Sequence, residues 1–197
     1  MHIQAGLYKG MPLHSPKHNS TRPSSAKIRA AVMNMLTPVL EDALFVDCFA
    51  GTGSMGFSAL SLGASACIFI ENNREALSCL QKNLLTLKTR AEQLELFYKP
   101  LTVLAYTLET SFERVFKLLS PEAVEGRAVI LWLDPPYADS IKWKTLLEQQ
   151  LKPSNSLHIV WELPSRQLSN CRLQIAGWQL HREKVYGDTA ILWYAPE

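Results

Sequence analysis

Short unbroken apolar runs alternate along this chain with stretches whose apolar positions recur every three or four residues. Leu44–Cys48, Ala66–Ile70, Ala128–Leu133 and Leu157–Leu163 are runs of the first kind. They are too short for helices and predict strands buried on both faces. Leu94–Tyr98 predicts a further strand, interrupted by the acid Glu95. Between the runs, helices are predicted over residues 24–36, Ser54–Leu62, Arg74–Leu87, Thr102–Leu119 and Ile141–Leu151. In Arg74–Leu87, Leu77, Leu80, Leu84 and Leu87 fall on one face. In the first helix, Ser24 and Ser25 are capping candidates, Ile28, Val32 and Met35 share a face, and Pro38 is expected beyond its end. Strands alternating with helices imply a parallel sheet covered on both sides.

The C-terminal end breaks that rhythm. Trp178–Tyr186 and Thr189–Tyr194 are both β-rich, and only Gly187 and Asp188 separate them. So short a link permits a hairpin but no helical crossover, so the last strand is expected antiparallel to the others. At the other end, residues 1–20 hold Gly6, Gly10, Pro12 and Pro16 with little periodicity, and predict a short extended piece and a mobile loop.

Composition narrows the class. At 197 residues, with 47% hydrophobic and 19% charged, the chain suits one globular domain with a full core. No run of 18 apolar residues predicts a membrane span, and no charged-then-apolar leader is seen. Cys48, Cys67, Cys79 and Cys171 form no C-x-x-C pair, which predicts reduced thiols in a cytoplasmic protein. The net charge of +2 hides an asymmetry, because residues 1–40 contain no acid. They carry Lys9, Lys17, Arg22, Lys27 and Arg29, a distribution suited to a polyanion. A solvated basic arm without a partner is the plain alternative.

The first predicted strand runs into Gly51-Thr52-Gly53-Ser54-Met55-Gly56, a G-x-G-x-x-G turn. Such turns let a ligand approach the backbone closely at the carboxyl edge of a sheet. Glu71 closes the second strand, where an acid can accept from ribose hydroxyls. Both features suit NAD. Asp47, at the end of the first strand, argues against it, because a pyrophosphate would be repelled there. S-adenosylmethionine (SAM) has no phosphate and carries two positive centres, a sulfonium and an amino group. It is the favoured ligand; a tight turn with no ligand is the plain alternative.

A second loop, Asp134-Pro135-Pro136-Tyr137, leaves the strand Ala128–Leu133. The Asp134 carboxylate and a backbone carbonyl near Pro135 can accept from the two N–H groups of a planar exocyclic amine. Such an amine is a poor nucleophile, because its lone pair is delocalised into the ring. Gripping both N–H groups turns the lone pair toward a methyl donor. Tyr137 can stack on an unstacked base, and Asp134 or water can take the released proton. A proline-stiffened loop with a capping Asp is the plain alternative.

These motifs resemble class I SAM-dependent methyltransferases that modify exocyclic amines of nucleobases. Taken with I-Q-A-G-L-Y-K-G near the start, Thr21–Arg29, Ile70–Asn73 and H-R-E-K-V-Y-G at His181–Gly187, the chain resembles the RsmD family, bacterial 16S rRNA guanine-N2 methyltransferases. The resemblance implies a Rossmann-like α/β fold with a seven-stranded, mostly parallel sheet, an antiparallel last strand and a basic N-terminal extension. It implies a division into residues 1–37, a basic arm and helix, and 38–197, the catalytic domain. It implies that Asp47, Ala50, Gly51 and Gly53 line the methionine part of SAM and Glu71 its ribose, with the neighbouring Phe49, Thr52 and Asn72 also in the cofactor site. The catalytic set is Asp134, Pro135, Pro136 and Tyr137. Lys9, Lys17, Arg22, Lys27 and Arg29 would face RNA. The implied substrate is 16S rRNA within a small-subunit particle, and a monomer without bound metal is expected.

Two departures stand out. Tyr98-Lys99-Pro100-Leu101 replaces the Asp or Asn-Ala that often meets the adenine of SAM. Ala26 and Ala30 stand where acids are common in the first helix. An adenine-N6 methyltransferase of DNA or RNA would use the same gripping chemistry, and a non-catalytic assembly factor could retain the fold. His158, His181, Arg182 and the five tryptophans are expected to be packing or solvated residues, and the histidines lack zinc spacing.

Overall fold

A computed structural model describes residues 1–16, 23–95, 101–104, 126–151 and 155–197, with backbone alone for 23–25 and 101–104. The predicted alternation is present. In chain order the elements are α1 (Pro23–Leu40), β1 (Leu44–Asp47), α2 (Ser54–Ser61), β2 (Ala66–Ile70), α3 (Arg74–Gln93), β3 (Leu101–Leu104) and β4 (Val129–Leu133). They continue with α4 (Ser140–Gln150), β5 (Leu157–Pro164), the single turn α5 (Leu168–Cys171), β6 (Trp178–Tyr186) and β7 (Thr189–Pro196). The seven strands form one sheet in the order β3-β2-β1-β4-β5-β7-β6. β3, β2, β1, β4 and β5 pair in parallel, and β7 is antiparallel to both β5 and β6. The strand order reverses between β1 and β4, and ligands of such sheets bind at the carboxyl edge there.

Every residue of β4 is buried, as expected of a central strand with both faces covered. One face carries Phe45, Ile130, Trp132, Val160 and Ile191 against α1, α2 and the N-terminal segment. The other carries Val46, Leu131, Leu133, Ile159 and Trp161 against α4 and the turn after β5. Trp132, Trp143, Trp161, Trp178 and Trp193 are all buried packing residues, as the sequence predicts. His158 sits beside Trp193, whose Nε1–H donates to its Nδ1 at 3.3 Å. Cys48, Cys67 and Cys171 are buried free thiols, and Cys79 is half-buried. No helix among the described residues is long and apolar enough to cross a membrane.

Four expectations change. The first 16 residues are not a mobile loop. Ile3 N–H donates to Met11 C=O and Gly10 N–H to Ile3 C=O, and Ile3, Tyr8, Met11 and Leu13 are buried in the core. Turn residues at 3, 8, 11 and 13 show no period, so no pattern could announce their burial. Residues 17–20 lie outside the described residues. Secondly, α1 runs through Pro38, because Leu36 and Leu40 both bury on the core face and outweigh the one backbone donor that proline lacks. Thirdly, α3 continues past Leu87 to Gln93, carried by the buried Leu87 and Ala91. Leu94 caps the helix and Glu95 turns the chain with φ +54°, so Leu94–Glu95 ends a helix and begins no strand. Fourthly, the strand lies at Leu101–Leu104, where a helix from Thr102 is expected; L-T-V-L is four apolar or β-branched residues, too few to separate the two periods. The remainder of the predicted strand at 96–98 and helix at 105–119 lies outside the described residues.

Candidate active site

The glycine turn is built by β1 handing the chain to α2. Gly51 and Gly53 have φ of +54° and +83°, values that favour glycine. A Cβ on Gly53 would collide with Phe57 and Leu80, and one on Gly56 with Phe69 and Cys67, so these two glycines seat the helix on the sheet. Gly51 differs: among the described residues, no atom beyond its chain neighbours would lie within 4 Å of its Cβ. Its backbone therefore faces the open edge of the sheet, where a ligand can lie directly on it.

Asp47 lies beneath this turn with only 1% of its surface exposed. Its Oδ2 accepts from Gly56 N–H at 3.1 Å. Burial pushes its carboxyl up to about 7; the Gly56 bond pulls the other way, and the charges of Asp134 and Glu71 add to the rise. Glu71 ties the two loops together. Its Oε2 accepts from Gly51 N–H at 2.7 Å, and its Oε1 from Asn72 and Asn73 N–H at 2.8 and 2.7 Å. A carboxylate offers about four lone-pair sites, so one stays available to a hydroxyl.

Asp134 follows β4 two residues after Trp132. It is open to solvent, yet protein packed closely around the loop pushes its carboxyl up to about 6. Solvent access counters that push, so Asp134 is more readily ionised than the buried Asp47 or the half-buried Glu162. Pro135 is buried and Pro136 exposed. Tyr137 begins a 3-10 turn leading into α4. Its hydroxyl lies 3.3 Å from Thr189 Oγ1 and also donates to Glu162, so the ring is held from β5 and β7.

Glu162 was not foreseen from the sequence. It is half-buried near the end of β5. Burial, and then the charge of Asp134, push its carboxyl up to about 8 against the Tyr137 hydrogen bond. The signal was an acid inside the apolar run H-I-V-W-E-L-P, which strand prediction treats as a blemish. Glu71 just past β2, Asp47 at the end of β1, Asp134 just past β4 and Glu162 in β5 thus form a row of acids along the carboxyl edge of four adjoining strands.

The other expected residues divide. Ala50 is buried, and its N–H donates to Ile70 C=O at 3.0 Å. The Phe49 ring turns to the opposite face, edge-on to Trp143 at 5.0 Å. Asn72 is exposed and Thr52 half-buried. Lys9 and Lys27 are exposed. Arg29 corrects an expectation: it is 4% exposed, with Nη1 against Met1 Sδ at 3.4 Å. α1 carries it into the core side of the helix, where it cannot present its charge to RNA. Lys17, Arg22, Lys99 and Pro100 lie outside the described residues. A groove of about 620 Å³ between the N-terminal segment and α3, with Lys9 and Arg90 on its walls, shares no residue with the acid row.

Asn83, fully buried on α3, joins the N-terminal segment to the glycine turn. Its Oδ1 accepts from His14 N–H at 2.6 Å, and its Nδ2 donates to His14 C=O at 3.1 Å and Thr52 C=O at 2.9 Å. Asn83→Ala would strand three backbone groups. We expect a loss of about 2–4 kcal/mol and, by thermal melting, a Tm lower by roughly 4–15 °C. An unchanged Tm would show that the clasp carries no stability.

The sequence profile of the family described as Conserved hypothetical protein 95 matches residues 1–195. The chain belongs to this family, that of the RsmD-type methyltransferases. It is 36% identical to Ribosomal RNA small subunit methyltransferase D of Haemophilus influenzae, over 94% of this chain and 88% of that protein. It is 30% identical to the Escherichia coli protein of the same name, over 99% and 89%. Among solved structures, a putative methyltransferase from Escherichia coli superposes with a TM-score of 0.72 at 29% identity, covering 100% of this chain and 98% of that one. The fold is that of class I methyltransferases, and the protein is a methyltransferase. SAM is the cofactor the family implies, and the edge fits it. Among the described residues, buried Asp47 has no cationic partner and nothing covers the Cα of Gly51; with the spare acceptor on Glu71, these suit a ligand with positive centres and a ribose.

Proposed function

We propose that this protein transfers a methyl group from SAM to the exocyclic N2 amine of a guanine in 16S rRNA. The reading further holds that it acts in the cytoplasm as a monomer on a small-subunit particle. The observation that carries it is the row of four acids that includes the first residue of the loop Asp134-Pro135-Pro136-Tyr137. An edge so rich in carboxylates suits a cationic cofactor and a base presenting N–H donors, and repels phosphate. The relatives named above for small-subunit rRNA supply the substrate class.

In this reading Asp47, Gly51, Gly53 and Glu71 hold the cofactor, which when bound supplies an electrophilic methyl group on a sulfonium. Asp47 holds the Gly56 amide and with it the first turn of α2, and Glu71 holds Gly51 over the edge. Asp134 and the Pro135 carbonyl accept from the target amine and orient its lone pair. Tyr137, tethered at its hydroxyl, offers its ring to a base drawn out of its stack. Asp134 or water takes the amine proton after transfer. Lys9 and Lys27 attract the phosphates that the acid row repels.

The test supplies methyl-labelled SAM and the protein with unmodified small-subunit particles, naked rRNA and DNA in parallel. The products are digested to nucleosides and identified by mass spectrometry. Labelled N2-methylguanosine from rRNA is expected. Labelled N6-methyladenine would keep the gripping chemistry and overturn the guanine assignment; no label in any substrate, with SAM binding intact, would favour an assembly factor.

A further inference from the structure

Glu162 belongs to the acid row but has been given no role of its own, yet it stands beside Asp134 and is bonded by Tyr137. β4 and β5 pair in parallel with Leu133 opposite Trp161, so Asp134 and Glu162 are the next residues on neighbouring strands, which run about 4.8 Å apart. Trp132 and Val160 lie on the face shared with α1 and α2. Two residues further, Asp134 and Glu162 continue that same face by the alternation of strands. The charge of Asp134 reaches the Glu162 carboxyl. Tyr137 hydroxyl donates to Glu162 and rests 3.3 Å from Thr189 Oγ1 on β7, so the acid is aimed and does not swing freely.

Two adjoining carboxylates call for two adjoining donors. The pairing edge of guanine provides them, N2–H beside N1–H. Adenine places the lone pair of N1 beside its N6 amine, and cytosine the lone pair of N3 beside its N4 amine. The N–H donors of guanine favour the ionised form of Glu162, which burial otherwise opposes; an ionised carboxylate facing either lone pair is repelled and left unpaired. We propose that Glu162 is the residue that selects guanine: its carboxylate accepts the N1–H of the target base while Asp134 and the Pro135 carbonyl hold the N2 amine. The assignment rests on the guanine-N2 reading and adds the residue that distinguishes guanine from the other amine-bearing bases.

The test uses rRNA transcripts carrying, at the nucleotide the wild-type protein labels, either guanine or 2,6-diaminopurine. Both present the N2 amine, but only guanine has N1–H. Single-turnover rates are measured for wild type, Glu162→Gln and Glu162→Ala, with SAM affinity by calorimetry and Tm alongside. Wild type is expected to prefer guanine on the order of 10- to 100-fold, the worth of one hydrogen bond to a charged acceptor. In Glu162→Gln the amide can turn either its oxygen or its nitrogen to the base, and in Glu162→Ala neither is present. Both variants are expected to bring the ratio within about 3-fold, with SAM affinity unchanged. A ratio that survives in the variants, or rates that fall equally on both bases, would overturn the assignment, since a merely structural role moves the rate and leaves the ratio. A wild type that forms no N2-methylguanosine would overturn the underlying reading, an outcome visible before any variant is made.

Discussion

Asp134→Ala is expected to lower the rate of methyl transfer by at least about 10³-fold, roughly 4 kcal/mol of barrier. The reason is electronic. The lone pair of an exocyclic amine is spread into the base, and it becomes available only when acceptors on both N–H groups hold the nitrogen out of conjugation. Removing Asp134 removes the charged acceptor, and the Pro135 carbonyl cannot hold both hydrogens. SAM affinity is expected to stay within about 3-fold of wild type, because Glu71 and the glycine turn hang from β1 and β2. Asp134→Asn keeps one acceptor oxygen and is expected to lose less. The same carboxyl, pushed up to about 6 by the protein around it, gives kcat/KM for RNA, measured at saturating SAM, an acid limb near that pH, and the limb should vanish in Asp134→Asn. Full activity of the alanine variant, measured with labelled SAM, would remove Asp134 from the chemistry.

Asp47→Asn is expected to do two opposite things. It should weaken SAM binding by about 100-fold, since a buried carboxylate facing a cation contributes several kcal/mol once desolvated. It should also stabilise the protein without cofactor. The Asp47 carboxyl rises from its ordinary 3.8 to about 7 in the fold, a cost of about 4 kcal/mol for holding the charge at high pH. The sign follows from proton binding: between these two values the folded state holds the proton that the unfolded chain has released. Stability is therefore greatest below about 4 and declines as pH rises through 7. Asparagine, whose Oδ1 still accepts from Gly56 N–H, removes that decline. The gain in Tm should be small at pH 5 and full at pH 8, roughly 8–16 °C. SAM affinity of the wild type should fall about tenfold per pH unit below 7, as binding must first remove the proton. Unchanged SAM affinity in the variant, by calorimetry, would show that the cation lies elsewhere; an unchanged Tm at pH 8 would show that Asp47 is not strained by its charge.

Much of this architecture is legible without coordinates, because two kinds of signal are local. A buried parallel strand must be apolar throughout, so β1, β2, β4 and β5 are read within a residue or two of their observed ends. A two-residue link cannot cross a sheet, so Gly187-Asp188 alone requires β6 and β7 to be antiparallel. The chemistry of Asp47, the glycine turn and Asp134-Pro135-Pro136-Tyr137 is local too, since each sits where a strand ends. What escaped depends on residues far apart in the chain. Whether Leu94–Tyr98 or Leu101–Leu104 forms the edge strand turns on where α3 finds its last buried contact, at Ala91, and on pairing with β2. Arg29 reads as a surface cation in a basic segment until α1 packs and buries it against Met1. The N-terminal residues join the core through Asn83, 69 positions from His14, and no period records such a contact. Glu162 is the sharpest case: in sequence it is a polar flaw in an apolar strand, and only the register of β4 on β5 sets it beside Asp134. Residue identity at the strand ends limits which side chains can do chemistry; tertiary packing sets which of them share one edge, because burial and adjacency depend on the whole fold and not on neighbours in the chain.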